Sequence, residues 1–284
     1  MNIENHVKDI EGYQLTYSSF GSGEPLVFIH GALADETFWY PHFELLGDSF
    51  KCLAPTLRYF NGGIVDARFP FGIETHARDC ALCIEEQFPD GVNLVGWSYG
   101  ADVALYTAHK IPHLIKKLLI YDPGFPSYVS DTNELEIFKK DSTKMFEPIA
   151  GFVEKGMLDS AVVSLINASG VADSYFSNQY KKIQKSQLEK KETLLLQIKQ
   201  QYPKPITADD LKQLRFPAWV GTGRNSRPLF QITAGAAAKS LGNAVFAMLD
   251  NESHLFPLEK PIDFAEIVKT FMTNRIPLTT VPFV

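Results

Sequence analysis

What the sequence lacks narrows the possibilities first. It has only three cysteines, no block of like charge, no internal repeat and no long uncharged run. Three cysteines cannot pair evenly, so no disulfide framework is expected. Cys80 and Cys83 have Cys-x-x-Cys spacing, but they fall mid-helix in a segment predicted over Glu74–Phe88. A redox pair usually opens a helix, where the amide dipoles lower the thiol pKa. Buried thiols in a reducing compartment are the reading adopted. No set of four Cys and His residues has metal-site spacing, so no structural zinc is expected. The longest stretch without Asp, Glu, Lys or Arg is Ser160–Ala172, whereas a membrane span needs about 20 mostly apolar residues. Met1–Ile10 carries Glu4, Lys8 and Asp9 and no apolar core of signal-peptide length, which points to a cytoplasmic protein. Gly21, Gly23, Gly62 and Gly63 lack the strand-to-helix setting of a phosphate or dinucleotide loop, so no cofactor is expected. With 27 basic against 33 acidic side chains and a net charge of −6, nothing makes a phosphate-binding surface. A small-molecule substrate is the expected partner, nucleic acid is not, and the oligomeric state stays open.

What is present is enough apolar material for a sizeable core: 284 residues, 45% of them hydrophobic. Short β-like runs alternate with helical stretches, the pattern of an α/β protein with a mostly parallel central sheet flanked by helices. After a Tyr-, Thr- and Gly-rich run (Tyr13–Gly23) suited to an antiparallel ribbon, Leu26–Ile29 reads as a buried strand. Further strands are predicted at Lys51–Ala54, Val92–Val95, Lys117–Tyr121, Ala218–Gly221 and Val245–Leu249. Besides Glu74–Phe88, helices are predicted at Tyr99–Lys110, Pro228–Leu241 and Pro261–Asn274. From about Ser127 to Pro205 the rhythm breaks into Lys-, Glu-, Gln- and Leu-rich text with no convincing strand. Residues 127–205 are therefore expected to form an inserted helical cap on a core made of residues 1–126 and 206–284. Within the insertion, Lys181–Gln200 has the spacing of one amphipathic helix with a solvated face.

The sharpest motif is Gly96-Trp97-Ser98-Tyr99-Gly100, set between the strand at Val92–Val95 and a helix-forming run. Glycines flank the serine because a sharp strand-to-helix turn brings backbone too close for a Cβ. A serine hydroxyl needs a base to become a nucleophile. His254 follows the last predicted strand and would reach the same sheet edge as Ser98. His6, His42, His76, His109 and His113 read as surface or packing residues. His30 ends the first core strand in His30-Gly31-Ala32 and is expected to brace that loop, leaving the Ala32 and Tyr99 amides to face a developing oxyanion.

From His30-Gly31 through the serine motif to His254, the sequence resembles the α/β-hydrolase superfamily. The resemblance implies Ser98 as nucleophile, His254 as base, the Ala32 and Tyr99 amides as oxyanion hole, and a helical cap after the sixth strand. Pro55-Thr56-Leu57-Arg58 is similar to the segment that usually reads Asp-Leu-Arg-Gly, without its Asp and Gly. The usual place for the triad acid holds Gly223-Arg224-Asn225-Ser226-Arg227, with no carboxylate. Haloalkane dehalogenases and some other branches place the acid after the sixth strand, where Leu119-Ile120-Tyr121-Asp122-Pro123 supplies Asp122. Asp250 is the alternative, although only three residues separate it from His254. Asp79 and Asp102 are expected to make local polar contacts. Trp97, Phe125 and Trp39 are candidates for an apolar acyl or alcohol pocket, and core packing accounts for them equally well. The expected activity is hydrolysis of a small or medium carboxylic ester, lactone or thioester through an acyl-enzyme on Ser98. Serine at the elbow argues against an alkyl-ester intermediate from a halide or epoxide. The alternatives are carbon–carbon bond cleavage on the same triad and a slow-turnover small-molecule receptor.

Overall fold

The structure is a computed structural model and describes residues 2–274. Eight strands form one sheet: β1 (Glu4–Ile10), β2 (Tyr13–Phe20), β3 (Glu24–Ile29), β4 (Phe50–Pro55), β5 (Val92–Trp97), β6 (Ile115–Tyr121), β7 (Ala218–Gly223) and β8 (Ala244–Leu249). Their spatial order is β1-β2-β4-β3-β5-β6-β7-β8. The β1–β2 and β2–β4 pairs are antiparallel and every other pair is parallel. The expected mostly parallel sheet is thus present. Every residue of β5 and β7 is buried, as suits strands covered on both faces.

Between the strands run α1 (Tyr40–Leu46), α2 (Ile73–Gln87) and α3 (Tyr99–Lys110). The link from β6 to β7 holds α4 (Thr132–Glu154), α5 (Leu158–Gly170), α6 (Tyr175–Asn178), α7 (Lys181–Glu189), α8 (Lys191–Lys199) and α9 (Ala208–Lys212). After β7 come α10 (Pro228–Ser240), α11 (Phe256–Glu259) and α12 (Pro261–Met272). Side chains of α2, α3 and α10 share one apolar cluster with the sheet, and those of α1 and α12 share another. A third cluster joins α4, α5 and Leu194 of α8 to Leu229 and Phe230. Among the described residues no helix is long and apolar enough to cross a membrane.

Three expectations about the fold need correction. The single helix expected over Lys181–Gln200 is two, broken at Lys190. There the Lys190 carbonyl accepts from the Thr193 hydroxyl (2.7 Å), and its ammonium pairs with Asp35 at 2.5 Å, outside the insertion. The ribbon segment also has a partner strand, β1, which the sequence pattern did not single out; only Ile10 of it is buried.

Asp79 does not make the local contact expected of it. It receives Arg58, 21 positions earlier, through two hydrogen bonds of 2.6 and 2.8 Å, with side-chain exposures of 1% and 3%. Arg58 also lies over the rings of Tyr13 and Phe69. Removing one member of a buried pair leaves the other charge without compensation. Asp79→Asn is accordingly expected to cost about 3–5 kcal/mol, seen as a lower urea midpoint at an unchanged slope.

Candidate active site

Strand register assembles the site. Trp97 sits beside Tyr121, and Tyr121 beside Gly221, so the residues that follow each strand meet along one sheet edge. Two cross-strand bonds fix this edge: the Ser98 amide donates to the Tyr121 carbonyl (2.9 Å) and the Asp122 amide to the Gly221 carbonyl (3.0 Å). Both residues have left-handed φ, 56° at Ser98 and 51° at Asp122. A non-glycine residue holds this conformation only where its surroundings enforce it. At the serine the enforcement is visible. A Cβ on Gly96 would lie 2.4 Å from the Gly100 carbonyl oxygen, and one on Gly100 would lie 2.2 Å from that of Ile29. The sharp turn expected from the motif therefore has the close backbone approaches that require its glycines.

His254 lies on the turn between β8 and α11, held by three neighbours. Its carbonyl accepts from the Trp97 indole N–H (2.8 Å), Phe230 stacks on its ring at 3.9 Å and 12°, and the preceding Ser253 carbonyl accepts from the Tyr121 hydroxyl (2.8 Å). His254 Nε2 is 3.0 Å from Ser98 Oγ, and its Nδ1 is 3.0 Å from Asp122 Oδ2. A carboxylate accepts only, so Nδ1 carries the proton and Nε2 presents a lone pair to the serine hydroxyl. Asp122 is fully buried and His254 only 3% exposed. Ser226 Oγ donates to Asp122 Oδ2 at 2.6 Å, whereas Asp122 Oδ1 is buried without a partner among the described residues.

Asp250 is elsewhere. It pairs with Arg224 at 2.5 Å, and its side chain is 72% exposed. Asp102 does not make the local contact expected of it either. Its carboxylate, one turn past Ser98, accepts the amides of Gly124 and Phe125 at 3.0–3.2 Å and so ties down the loop that leaves Asp122. Burial pushes the Asp102 pKa up to about 7, against the lowering effect of those amides.

His30 braces its loop as expected: Nδ1 donates to the Gly31 carbonyl (2.9 Å) and Nε2 accepts the Leu57 amide (3.1 Å). Burial lowers its pKa to about 4, which keeps the ring neutral. Ala32 and Tyr99 border the same cavity as Ser98 and His254. As the first residue of α3, Tyr99 has an amide with no intrahelical acceptor.

The cavity above Ser98 measures about 610 Å³ and extends under α4, α5 and α8. Trp97 and Phe125 line it. Trp39 does not. It ends the short helical turn Glu36–Trp39 and is fully buried against Phe28 and Phe264, in the same apolar cluster as Trp97. Sequence reasoning also passed over Phe230 and Ser226. Ser226 lies in the very segment searched for a carboxylate, and its hydroxyl was the available signal. Cys80 and Cys83 are free, and burial raises both thiol pKa values.

A soluble epoxide hydrolase from Corynebacterium sp. (strain C12) is 33% identical over 127 residues, 43% of each chain, so the match spans less than half of that relative. Among solved structures, carboxylesterase CesB (YbfK) from Bacillus subtilis superposes with a TM-score of 0.74 at 16% identity, covering 97% of this chain and 93% of that one. A bacterial membrane phospholipase A gives the same TM-score of 0.74 at 18% identity, covering 96% and 86%. These two likenesses concern the fold. The model of the alpha/beta hydrolase family matches residues 26–267, from within β3 into α12; the chain belongs to that family.

Proposed function

We propose that the protein hydrolyses a small or medium carboxylic ester, lactone or thioester through an acyl-enzyme on Ser98. The observation that supports this reading is the continuous relay from Ser98 Oγ to His254 Nε2 and from His254 Nδ1 to Asp122, with both links at 3.0 Å. Ser98 Oγ adds to the substrate carbonyl while its proton passes to His254 Nε2, and Asp122 stabilises the imidazolium that forms. The Ala32 and Tyr99 amides take the negative charge that develops on the carbonyl oxygen. Collapse of the adduct returns the proton to the leaving alcohol or thiol. Water, deprotonated by the same imidazole, then releases the acid and restores Ser98.

In this reading residues 127–205 are a cap over a core formed by residues 1–126 and 206–284, and the cavity beneath the cap holds the substrate. With the hydroxyl of Ser98 rather than a carboxylate at the elbow, epoxide opening through an alkyl-ester intermediate is disfavoured. The test is labelling by a fluorophosphonate, which reacts with an activated serine. Stoichiometric labelling of the wild type and none of Ser98→Ala is expected. Labelling that persists in the alanine variant removes Ser98 from its role.

A further inference from the structure

On the acyl-enzyme reading, Asp122 must keep one carboxylate oxygen aimed at His254 Nδ1, yet few bonds restrain it. Oδ1 is buried with no partner among the described residues, and Oδ2 receives two donors, His254 Nδ1 at 3.0 Å and Ser226 Oγ at 2.6 Å. The imidazole is the group that moves the proton. Ser226 is therefore the donor that can fix the carboxylate without entering the reaction. Its hydroxyl is committed to that task. The Gly223 amide donates to Ser226 Oγ at 3.2 Å, and an N–H cannot accept, so the serine proton is left for Asp122. The Tyr121 hydroxyl, which also lies beside Ser226, gives its own proton to the Ser253 carbonyl.

Bonds from three directions hold the turn that carries Ser226. Within the turn, the Ser226 amide donates to the Gly223 carbonyl at 3.0 Å. Towards the loop that carries His254, the Arg224 amide donates to the Leu249 carbonyl and the Asn225 amide to the Glu252 carbonyl, each at 2.9 Å. A Cβ on Gly223 would lie 2.2 Å from that same Glu252 oxygen. From α10, Gln231 Nε2 reaches the carbonyls of Gly223, Arg224 and Ser226 at 3.0–3.1 Å. Carbonyls only accept, so the NH₂ end of Gln231 faces them. One side chain thus ties three carbonyls of a single turn, and with them the position of Ser226 Oγ.

We propose that Ser226 and Gln231 are positioning residues for the reaction: Ser226 sets the rotation of the Asp122 carboxylate, and Gln231 holds the turn that presents Ser226. A hydrogen bond to an ionised carboxylate is of the stronger kind. Without it, Asp122 keeps a single donor and turns about its Cβ–Cγ bond, so that the imidazole proton meets Oδ1 and Oδ2 in alternation. Neither Ser226 nor Gln231 lines the cavity, so the effect falls on kcat rather than on substrate binding.

The experiment follows the rate of fluorophosphonate labelling and the hydrolysis of p-nitrophenyl butyrate, with circular dichroism for folding. Ser226→Ala is expected to slow both reactions about tenfold through kcat, with KM within about twofold of wild type. Ser226→Thr keeps the hydroxyl and is expected to recover the rate to within about threefold. In the Asp122→Asn background the imidazole proton already sits on the wrong nitrogen, and Ser226→Ala is expected to change kcat less than about twofold. The downfield proton resonance of His254 Nδ1–H is expected to shift in Ser226→Ala and to stay in place in Asp250→Asn. Gln231→Met is expected to slow turnover about threefold alone and to add nothing in the Ser226→Ala background. A rate in Ser226→Ala close to wild type, or an equal loss in the Asp122→Asn background, overturns the role of Ser226. A Gln231→Met loss that multiplies with that of Ser226→Ala overturns the role of Gln231. A wild type that takes no label overturns the acyl-enzyme reading itself.

Discussion

Ser98→Ala is expected to lower kcat for ester hydrolysis on the order of 10⁶-fold, and Asp122→Asn about 10⁴-fold, with each variant folding as the wild type does. The asparagine result follows from the bonds around Asp122. Ser226 donates to Oδ2, the same oxygen that receives the His254 Nδ1 proton. The Oδ1 position has no partner, so a carboxamide settles with its NH₂ at the Oδ2 position, where it donates to Ser226 Oγ and presents a hydrogen to Nδ1. That forces the imidazole proton onto Nε2, where it faces Ser98 Oγ and can no longer accept a proton. The loss is one of tautomer rather than of shape, so the melting temperature should hardly move. Asp250→Asn serves as the control, because its carboxylate is on the surface with Arg224, and turnover within twofold of wild type is expected. Steady-state kinetics on the ester that the wild type turns over best, with circular dichroism for folding, decide it. Near-normal turnover in Asp122→Asn together with a large loss in Asp250→Asn would reverse the assignment of the acid.

The parts of this architecture that were legible from sequence are those encoded locally. Five residues, Gly96 to Gly100, specify a turn whose glycines are required by backbone atoms within 2.4 Å of the missing Cβ positions. Apolar runs such as Val92–Val95 are fully buried on both faces of a parallel sheet, and that makes them readable without a partner. Asp122 was named on the family resemblance, and the structure places its carboxylate 3.0 Å from His254 Nδ1. The illegible parts are those decided by distant chain. β1 is a half-solvated edge strand of mixed charge, so its alternation carries little apolar signal. The break at Lys190 interrupts an apolar spacing that runs on through it, so periodicity alone did not place it. Trp39 and Trp97 are equally aromatic and share one apolar cluster, and only Trp97, at the end of β5 beside Ser98, also reaches the cavity. Ser226 shows the same limit in the site: a lone serine carries no pattern, and its importance comes from a carboxylate 104 positions away in the chain.

Acidification from neutral pH to about pH 4 is expected to destabilise the fold by several kcal/mol, and buried imidazoles are the cause. His30 has its pKa lowered by burial to about 4, and His42 and His76 to about 3. For a base whose folded pKa lies below its unfolded value, stability is fully present above about pH 6.5 and is lost as pH falls towards the folded value. The geometry gives each ring a reason to resist charge. His76 Nε2 donates to the Arg58 carbonyl (3.1 Å) while Nδ1 accepts the Tyr99 hydroxyl (2.8 Å), and His42 packs against Trp39 and Phe264. At about pH 4 each ring costs on the order of 3 kcal/mol. Asp102 acts in the opposite sense. Its folded pKa is raised to about 7, so its contribution is present below the unfolded carboxylate value and is lost as pH rises through 7; acidification recovers on the order of 4 kcal/mol there. The imidazoles outweigh it, and the net loss is a large share of the 5–15 kcal/mol typical of folded proteins. Urea midpoints measured from pH 7.5 down to 4 should therefore fall steeply. His76→Gln should flatten the fall by more than half, since about 3 of the net fall of about 5 kcal/mol goes with that ring. Asp102→Asn should steepen it, because the opposing carboxyl is gone. A flat midpoint across this range, or a shallower fall in Asp102→Asn, would show that these buried groups do not govern acid stability. The same titration reaches the site: Tyr99 is both the partner of His76 and the residue whose amide faces the oxyanion in the proposed mechanism. Acid should therefore loosen the serine turn before the fold is lost.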